Sequence, residues 1–387
     1  MTEKITLVDV DQGVYVETYH YSSQWSSSEG SATVRATKRR LYGGKQDGVD
    51  VVEISSGRFT FVVALTRGMN ILRASCDGVE LKWDSPVNGP VHPQFVSLFA
   101  PNGCGWLEGF SEWVARCGLE SNGAPEFSDA GVLKYPLHGR LSNLPARKVI
   151  LEIDQESNEI RLTGEVLETS VFGHRFLFTS AYCIKGGAKT LQVEDRVTNL
   201  LSVSDEFELL YHINTGYPLV SPGSRFYAAF ERMCPRDQNA VKELPNWDHF
   251  EAPTPGRPET CYFFELTTDA QGQSKVAMLD PSGERGVELS VNRNEFPYFI
   301  LWKTQRPNGE IYVSGMEPAV NFPNTRSFEA SHNRVVTLQP NESRFFHLTF
   351  TALTTGAEAR ASVSAIESLQ QKGARKIESS PLAEWCE

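Results

Sequence analysis

The chain has 387 residues, of which 40% are hydrophobic and 11% aromatic, the composition of an ordinary globular protein and not of a disordered one. Lys and Arg number 37 against 48 Asp and Glu, a net charge of −11. With no basic run to offset it, such a surface repels nucleic-acid phosphates and anionic lipid. The opening Met1-Thr2-Glu3-Lys4 lacks the pattern of a signal peptide, and no apolar stretch approaches a membrane span. The seven cysteines (Cys76, Cys104, Cys117, Cys183, Cys234, Cys261 and Cys386) form no CxxC pair. The expectation is a cytoplasmic protein with reduced thiols and no membrane or nucleic-acid partner.

In chain order, strand signals dominate. Phe61 to Leu65 is a short apolar run after Gly57. Residues 100–128, rich in glycine, read as a long structured loop. Residues 149–166 read as a hairpin, with Val149, Leu151 and Ile153 alternating with polar residues, Glu156-Ser157-Asn158 as the turn, and Ile160, Leu162 and Val166 beyond it. Leu191, Val193 and Val197 alternate again, with Asp195 breaking the apolar set. A second long loop spans 245–259, with four prolines around Trp247-Asp248-His249. Val336 and Leu338 are separated by Pro340-Asn341-Glu342 from Phe346, Leu348 and Phe350. Only the tail has helical periodicity: Val363, Ile366 and Leu369 share a face between 358 and 371, with Gly373 as the expected cap. Without strand–helix alternation or an internal repeat, the sequence predicts an all-β fold, a large antiparallel β-sandwich with few helices, one of them C-terminal, in a single domain over 1–387.

Three segments place ionisable groups beside strand-like sequence: Tyr135-Pro136-Leu137-His138-Gly139-Arg140, Leu209-Leu210-Tyr211-His212-Ile213-Asn214, and Tyr312-Val313-Ser314-Gly315-Met316-Glu317-Pro318, followed by Asn321-Phe322-Pro323-Asn324. Each alone suits a structural role, such as a hydrogen-bonded histidine or a solvated turn carboxylate. Their order is what suggests a site. An imidazole and a carboxylate together can donate and remove protons near neutral pH.

In that order the segments resemble the signatures of the galactose mutarotase (aldose 1-epimerase) family. The segment Leu191 to Asn199 resembles the family's strand before the second histidine. Cys117-Gly118-Leu119 is similar to a mutarotase-like branch of it. The likeness spans roughly residues 55–352. It implies a sugar cleft on a concave sheet face and anomer interconversion without metal, nucleotide or other cofactor. By the resemblance Glu317 is the general base, His212 the general acid, and His138 a hydrogen-bonding partner of the sugar. It also implies a carboxylate and an arginine for binding, for which Asp248 and Arg73 are the candidates. Arg140, Lys303 and Trp247 are further candidates for sugar contact. Asn214 is a candidate too, in support of His212, while Trp302 is expected in the core. A phosphorylated sugar would need a basic cluster, for which the sequence offers Arg140, Lys303 and Arg326.

Three rival readings stay open on the sequence: a non-catalytic sugar-binding or sensing protein, a sugar isomerase or polysaccharide lyase on a related sandwich, and a metal site from His92, His138 and His212. No HxH-type local pair supports the last. The sequence is compatible with a homodimer and does not name the sugar.

Overall fold

The computed structural model describes residues 2–27, 30–307 and 309–387. Residues 146–199 show how it is built. The strands Ala146–Asp154, Glu159–Thr169, Arg175–Lys185 and Thr190–Asn199 pair antiparallel in sequence order. Period-two alternation turns Val149, Leu151, Ile153, Ile160, Leu162 and Val166 to one buried face. Between the first two strands Asn158 takes the left-handed conformation, φ 58°, which asparagine tolerates well. These strands and Ser343–Leu353 form the middle of a sheet with ten strands among the described residues.

A second sheet has 14 strands among the described residues. Its central run is Phe230–Pro235, Thr260–Leu266, Tyr298–Gln305, Tyr312–Ala319, Asp205–Gly216, Val114–Leu119 and Asn70–Cys76, each antiparallel to the next. The two sheets pack face to face through aromatic contacts such as Trp113 with Phe350, ring centres 4.9 Å apart, and Phe61 with Tyr182, 5.8 Å. Each fully buried large apolar side chain there contributes roughly 1.5–3 kcal/mol. This is the expected large all-β sandwich.

Three local expectations change. Residues 100–128 are not one loop: Val114–Leu119 is a central strand, buried on both faces and therefore without visible alternation. Asp195 does not interrupt the buried face but lies on it, its carboxylate held by Arg116, with Nε to Oδ2 2.5 Å. The C-terminal helix is Gly356–Gln370, started by a capping box in which Thr355 and Glu358 bond each other's backbone amides. It ends at Gln371 in ordinary helical conformation, with Gly373 beyond it. The helix lays Ala359 and Ile366 on the ten-stranded sheet, against Leu279, Leu353 and Ala277. Among the described residues, no helix is long and apolar enough to cross a membrane.

Candidate active site

The central strands of the larger sheet divide their residues between two faces. Leu209, Tyr211 and Ile213 join the main core, while Leu210 joins a second apolar cluster on the opposite face, with Ala115, Cys117, Cys261, Ile300 and Val313. Alternation therefore carries His212 and Glu317 to that outer face. The pairs Ile213↔Met316 and Leu210↔Ala319 fix the register, so His212 and Glu317 stand opposite each other on adjacent strands. Both line a cleft of about 460 Å³.

At its floor His212 Nε2 lies 3.2 Å from Glu317 Oε1. Oε1 is buried and makes no hydrogen bond, which is uncommon for a buried polar atom. Gly315 makes the approach feasible. A Cβ there would stand 2.2 Å from Glu317 Oε1 and 3.2 Å from His212 Cε1. On the other ring nitrogen, His212 Nδ1 is 2.5 Å from Asn214 Oδ1. The Asn214 amide nitrogen donates to the carbonyls of Glu112 (3.0 Å) and His212 (2.9 Å). Its oxygen must then accept, so Nδ1 of His212 carries hydrogen and Nε2 faces the cleft free to gain or lose one.

His138 comes from the loop beside this floor, its ring centre 5.5 Å from that of His212. Its backbone is left-handed, φ 57°. Gly139, also left-handed, passes so close to the chain that a Cβ would meet the carbonyl oxygens of Ser121 at 2.0 Å and Gly118 at 2.5 Å. Nδ1 of His138 donates to the carbonyl of Asn122, 2.8 Å away, which leaves Nε2 as an acceptor in the neutral ring. Asn122 is itself tied down: its backbone amide donates to Glu208 Oε2 (3.0 Å) and its side chain to Asn321 Oδ1 (2.6 Å), while Asn321 donates to Glu208 Oε1 (2.8 Å).

Burial sets the protonation states. It holds the Glu317 carboxyl well above the ordinary carboxylate range, helped by the charge of Glu259, and drives His212 well below the usual imidazole value, helped by His138. Burial also lowers His138. Burial thus favours the uncharged form of all three groups. Trp106, Phe110 and Trp302 wall the His212 ring at centre distances of 6.0, 4.9 and 5.2 Å. Toward the mouth Glu259 accepts from Trp302 Nε1 (2.8 Å) and Arg236 Nη2 (2.8 Å). Enclosure would raise Glu259, but Arg236 and these hydrogen bonds outweigh it and keep the carboxylate low.

The three signature segments therefore bring His138, His212 and Glu317 to one cleft. The candidate binding residues fare differently. Asn214 is fully buried behind His212 and does not line the cleft. Lys303 points to the opposite face from Trp302, where its ammonium donates to the carbonyls of Asn246, Trp247 and His249 at 2.9, 3.0 and 2.6 Å. Burial lowers it to about 8. Trp247 is core, packed on Phe226, Phe230 and Phe264. Asp248 is paired with Arg225 at 3.0 Å and His249 at 2.8 Å, away from the cleft. Arg73 is exposed on Asn70–Cys76, and Arg140 acts on Glu120 and Glu168; neither lines the cleft. Arg326 donates to the backbone of Glu120 and Glu206. His92 caps a separate short turn, and among the described residues no group of three His, Cys, Asp or Glu side chains could hold a metal. Trp302, expected in the core, is half-buried in the cleft wall. The sequence reading missed Trp106, Phe110, Arg236, Glu259, Thr304 and Arg306. For Trp302, Thr304 and Arg306 the signal was period-two spacing after a strand-like run.

A family model described as "Domain of unknown function (DUF4432)" matches residues 46–352. No curated protein sequence matches the chain. Among solved structures, a proposed aldose 1-epimerase from Klebsiella pneumoniae subsp. pneumoniae MGH 78578 is 28% identical, covers 99% of this chain and 100% of its own, and superposes with a TM-score of 0.93. A galactose 1-epimerase from Lactobacillus acidophilus NCFM shares the fold at 11% identity and TM-score 0.52, over 82% of this chain and 98% of its own. A proposed aldose 1-epimerase from Escherichia coli K12 does so at 13% and 0.51, over 79% and 99%.

Proposed function

We propose that the chain, which belongs to the DUF4432 family, interconverts the α and β anomers of a free sugar by opening and reclosing its hemiacetal ring. The observation that carries this reading is the 3.2 Å approach of His212 Nε2 to an otherwise unbonded Glu317 oxygen at the floor of an aromatic-walled cleft. The Klebsiella relative, itself a proposed aldose 1-epimerase, is in keeping with it.

Ring opening needs one proton removed from the anomeric hydroxyl and one delivered to the ring oxygen. In the reacting form the pair shares a single proton, which burial favours on Glu317. Its transfer to His212 Nε2 creates a carboxylate and an imidazolium at no change in total charge. The Glu317 carboxylate takes the proton from O1. The bond from C1 to the ring oxygen breaks as C1=O1 forms, and His212 Nε2 gives its proton to the departing oxygen. Rotation about C1–C2 turns the other carbonyl face toward that hydroxyl, and the transfers run backwards. Asn214 holds His212 in the tautomer this requires. His138, with its Nδ1 hydrogen committed to Asn122, accepts a sugar hydroxyl at Nε2 and fixes the ring's orientation.

NMR exchange spectroscopy on equilibrated free sugars tests the reading. Catalysed α–β exchange that falls by roughly 10²–10⁴ in Glu317→Gln is the expected result. Sugar resonances broadened by binding without exchange would instead identify a sugar-binding protein.

A further inference from the structure

The strand Tyr298–Gln305 continues into Arg306, and its alternation sends Trp302, Thr304 and Arg306 into the cleft in succession. Ile300 on this strand pairs with Glu317, so Arg306 lies six residues farther along, about 20 Å of strand. This far end of the cleft is lined by unsatisfied donors. The Thr304 hydroxyl is buried, on a residue 3% exposed, and has no hydrogen-bond partner. Arg306 spends only Nε, on the carbonyl of Arg257 at 3.0 Å. Among the described residues no carboxylate pairs with it, in a protein of net charge −11. Its neighbours are matched: Arg257 by Glu243 and Glu251, Arg236 by Asp237 and Glu259. Glu259 does not compensate Arg306, since its two oxygens are taken by Arg236 and Trp302.

An unmatched guanidinium with its Nη donors free, beside a hydroxyl that can donate or accept, is best complemented by an anion, which accepts those hydrogen bonds and also offsets the positive charge. We propose that Arg306 and Thr304 form an oxyanion subsite, and that the sugar carries a carboxylate or phosphate at the end away from its anomeric carbon. The assignment rests on the mutarotase reading only for the direction in which the sugar lies. The subsite itself stands on the donors.

Glucose, glucuronate and glucose 6-phosphate test it in two separate readouts. Calorimetric titration of the wild-type protein should show an anionic sugar binding roughly 10- to 100-fold more tightly than glucose, with affinity falling as salt rises. Arg306→Gln should remove that preference. Whichever of glucuronate and glucose 6-phosphate binds more tightly identifies the oxyanion. Equal affinity for all three sugars, or an anion preference untouched in Arg306→Gln, would overturn the subsite. If the variant does not fold, the wild-type preference and its salt dependence decide the same question. Exchange spectroscopy on the same sugars reads the catalytic proposal separately: tight anion binding without exchange sinks the mutarotase and leaves the subsite standing.

Discussion

Nε2 of His212 and Oε1 of Glu317 face each other at 3.2 Å across two adjacent strands, and burial biases the two groups in opposite directions. Glu317 is held above the ordinary 4.5 and His212 below the ordinary 6.5. The range of pH over which the pair holds one proton is therefore wider than for the free groups. A second proton enters only below the usual histidine range, so the acid limb of kcat should lie under about 6.5. A rate that halves near 6.5 would mean an unperturbed His212.

The same burial has a cost in stability whose sign is fixed. Unfolded, Glu317 ionises near 4.5; folded, it keeps its proton to higher pH. Above 4.5 the unfolded state binds fewer protons, so the contribution of this group is full at low pH and is lost as pH rises. Glu317→Gln escapes that loss. Its Tm relative to wild type should rise as pH climbs above about 4.5, while activity disappears. A pH-independent difference would count against a perturbed Glu317.

Gly315→Ala separates site geometry from folding. A strand accepts alanine, but the new Cβ would stand 2.2 Å from Glu317 Oε1 and push the carboxylate off its approach to His212. A displacement on the order of 1 Å should lower kcat about 100-fold. Far-UV spectra and Tm should change little. Steady-state rates close to wild type would show that the site tolerates the shift.

Glu208 reaches His138 only through Asn122. Burial pushes its carboxyl up to about 7, and two donors converge on its oxygens. Glu208→Gln brings an NH₂ against one of those donors, freeing the Asn122 carbonyl to turn. The expected readout is loss of the single Nδ1–H tautomer of His138 in ¹⁵N spectra, with a fall in kcat. An unchanged His138 spectrum would reduce Glu208 to a structural residue.

Lys303→Met leaves the carbonyls of Asn246, Trp247 and His249 without their donor. Stability in urea should drop by roughly 1–3 kcal/mol. Because Lys303 lies off the cleft, KM should hold. A raised KM with full stability would return Lys303 to the sugar.

Much of the architecture was legible because antiparallel strands with one wet face write their period into the sequence: the 149–166 hairpin is found as Ala146–Asp154 and Glu159–Thr169. The ionisable residues of the signature segments were legible as candidates for one cleft. Its walls were not, since only strand register puts Glu259 beside Trp302, and only the folded path of two loops puts Trp106 against His138. Loop composition gave no direction, so Trp247 and Asp248, chosen for chemistry, turn into packing and ion pairing. Two signals were overlooked. Lys303 cannot share a face with Trp302, its neighbour in a strand, and Thr355 with Glu358 spelled a helix start two residues before the expected one.

Arg116, on a strand of the cleft sheet, and Asp195, on the other sheet, are both fully enclosed, and Arg116 also donates to Tyr182 and Ser180. Losing either partner strands a buried charge, at a cost of about 3–5 kcal/mol. During descent, then, these two positions cannot drift singly. The ion pair thus ties the two sheets together as a matched set, whatever the loops around the cleft do. Chimaeras that join sheets from distant relatives should fail at this seam before they fail at the site.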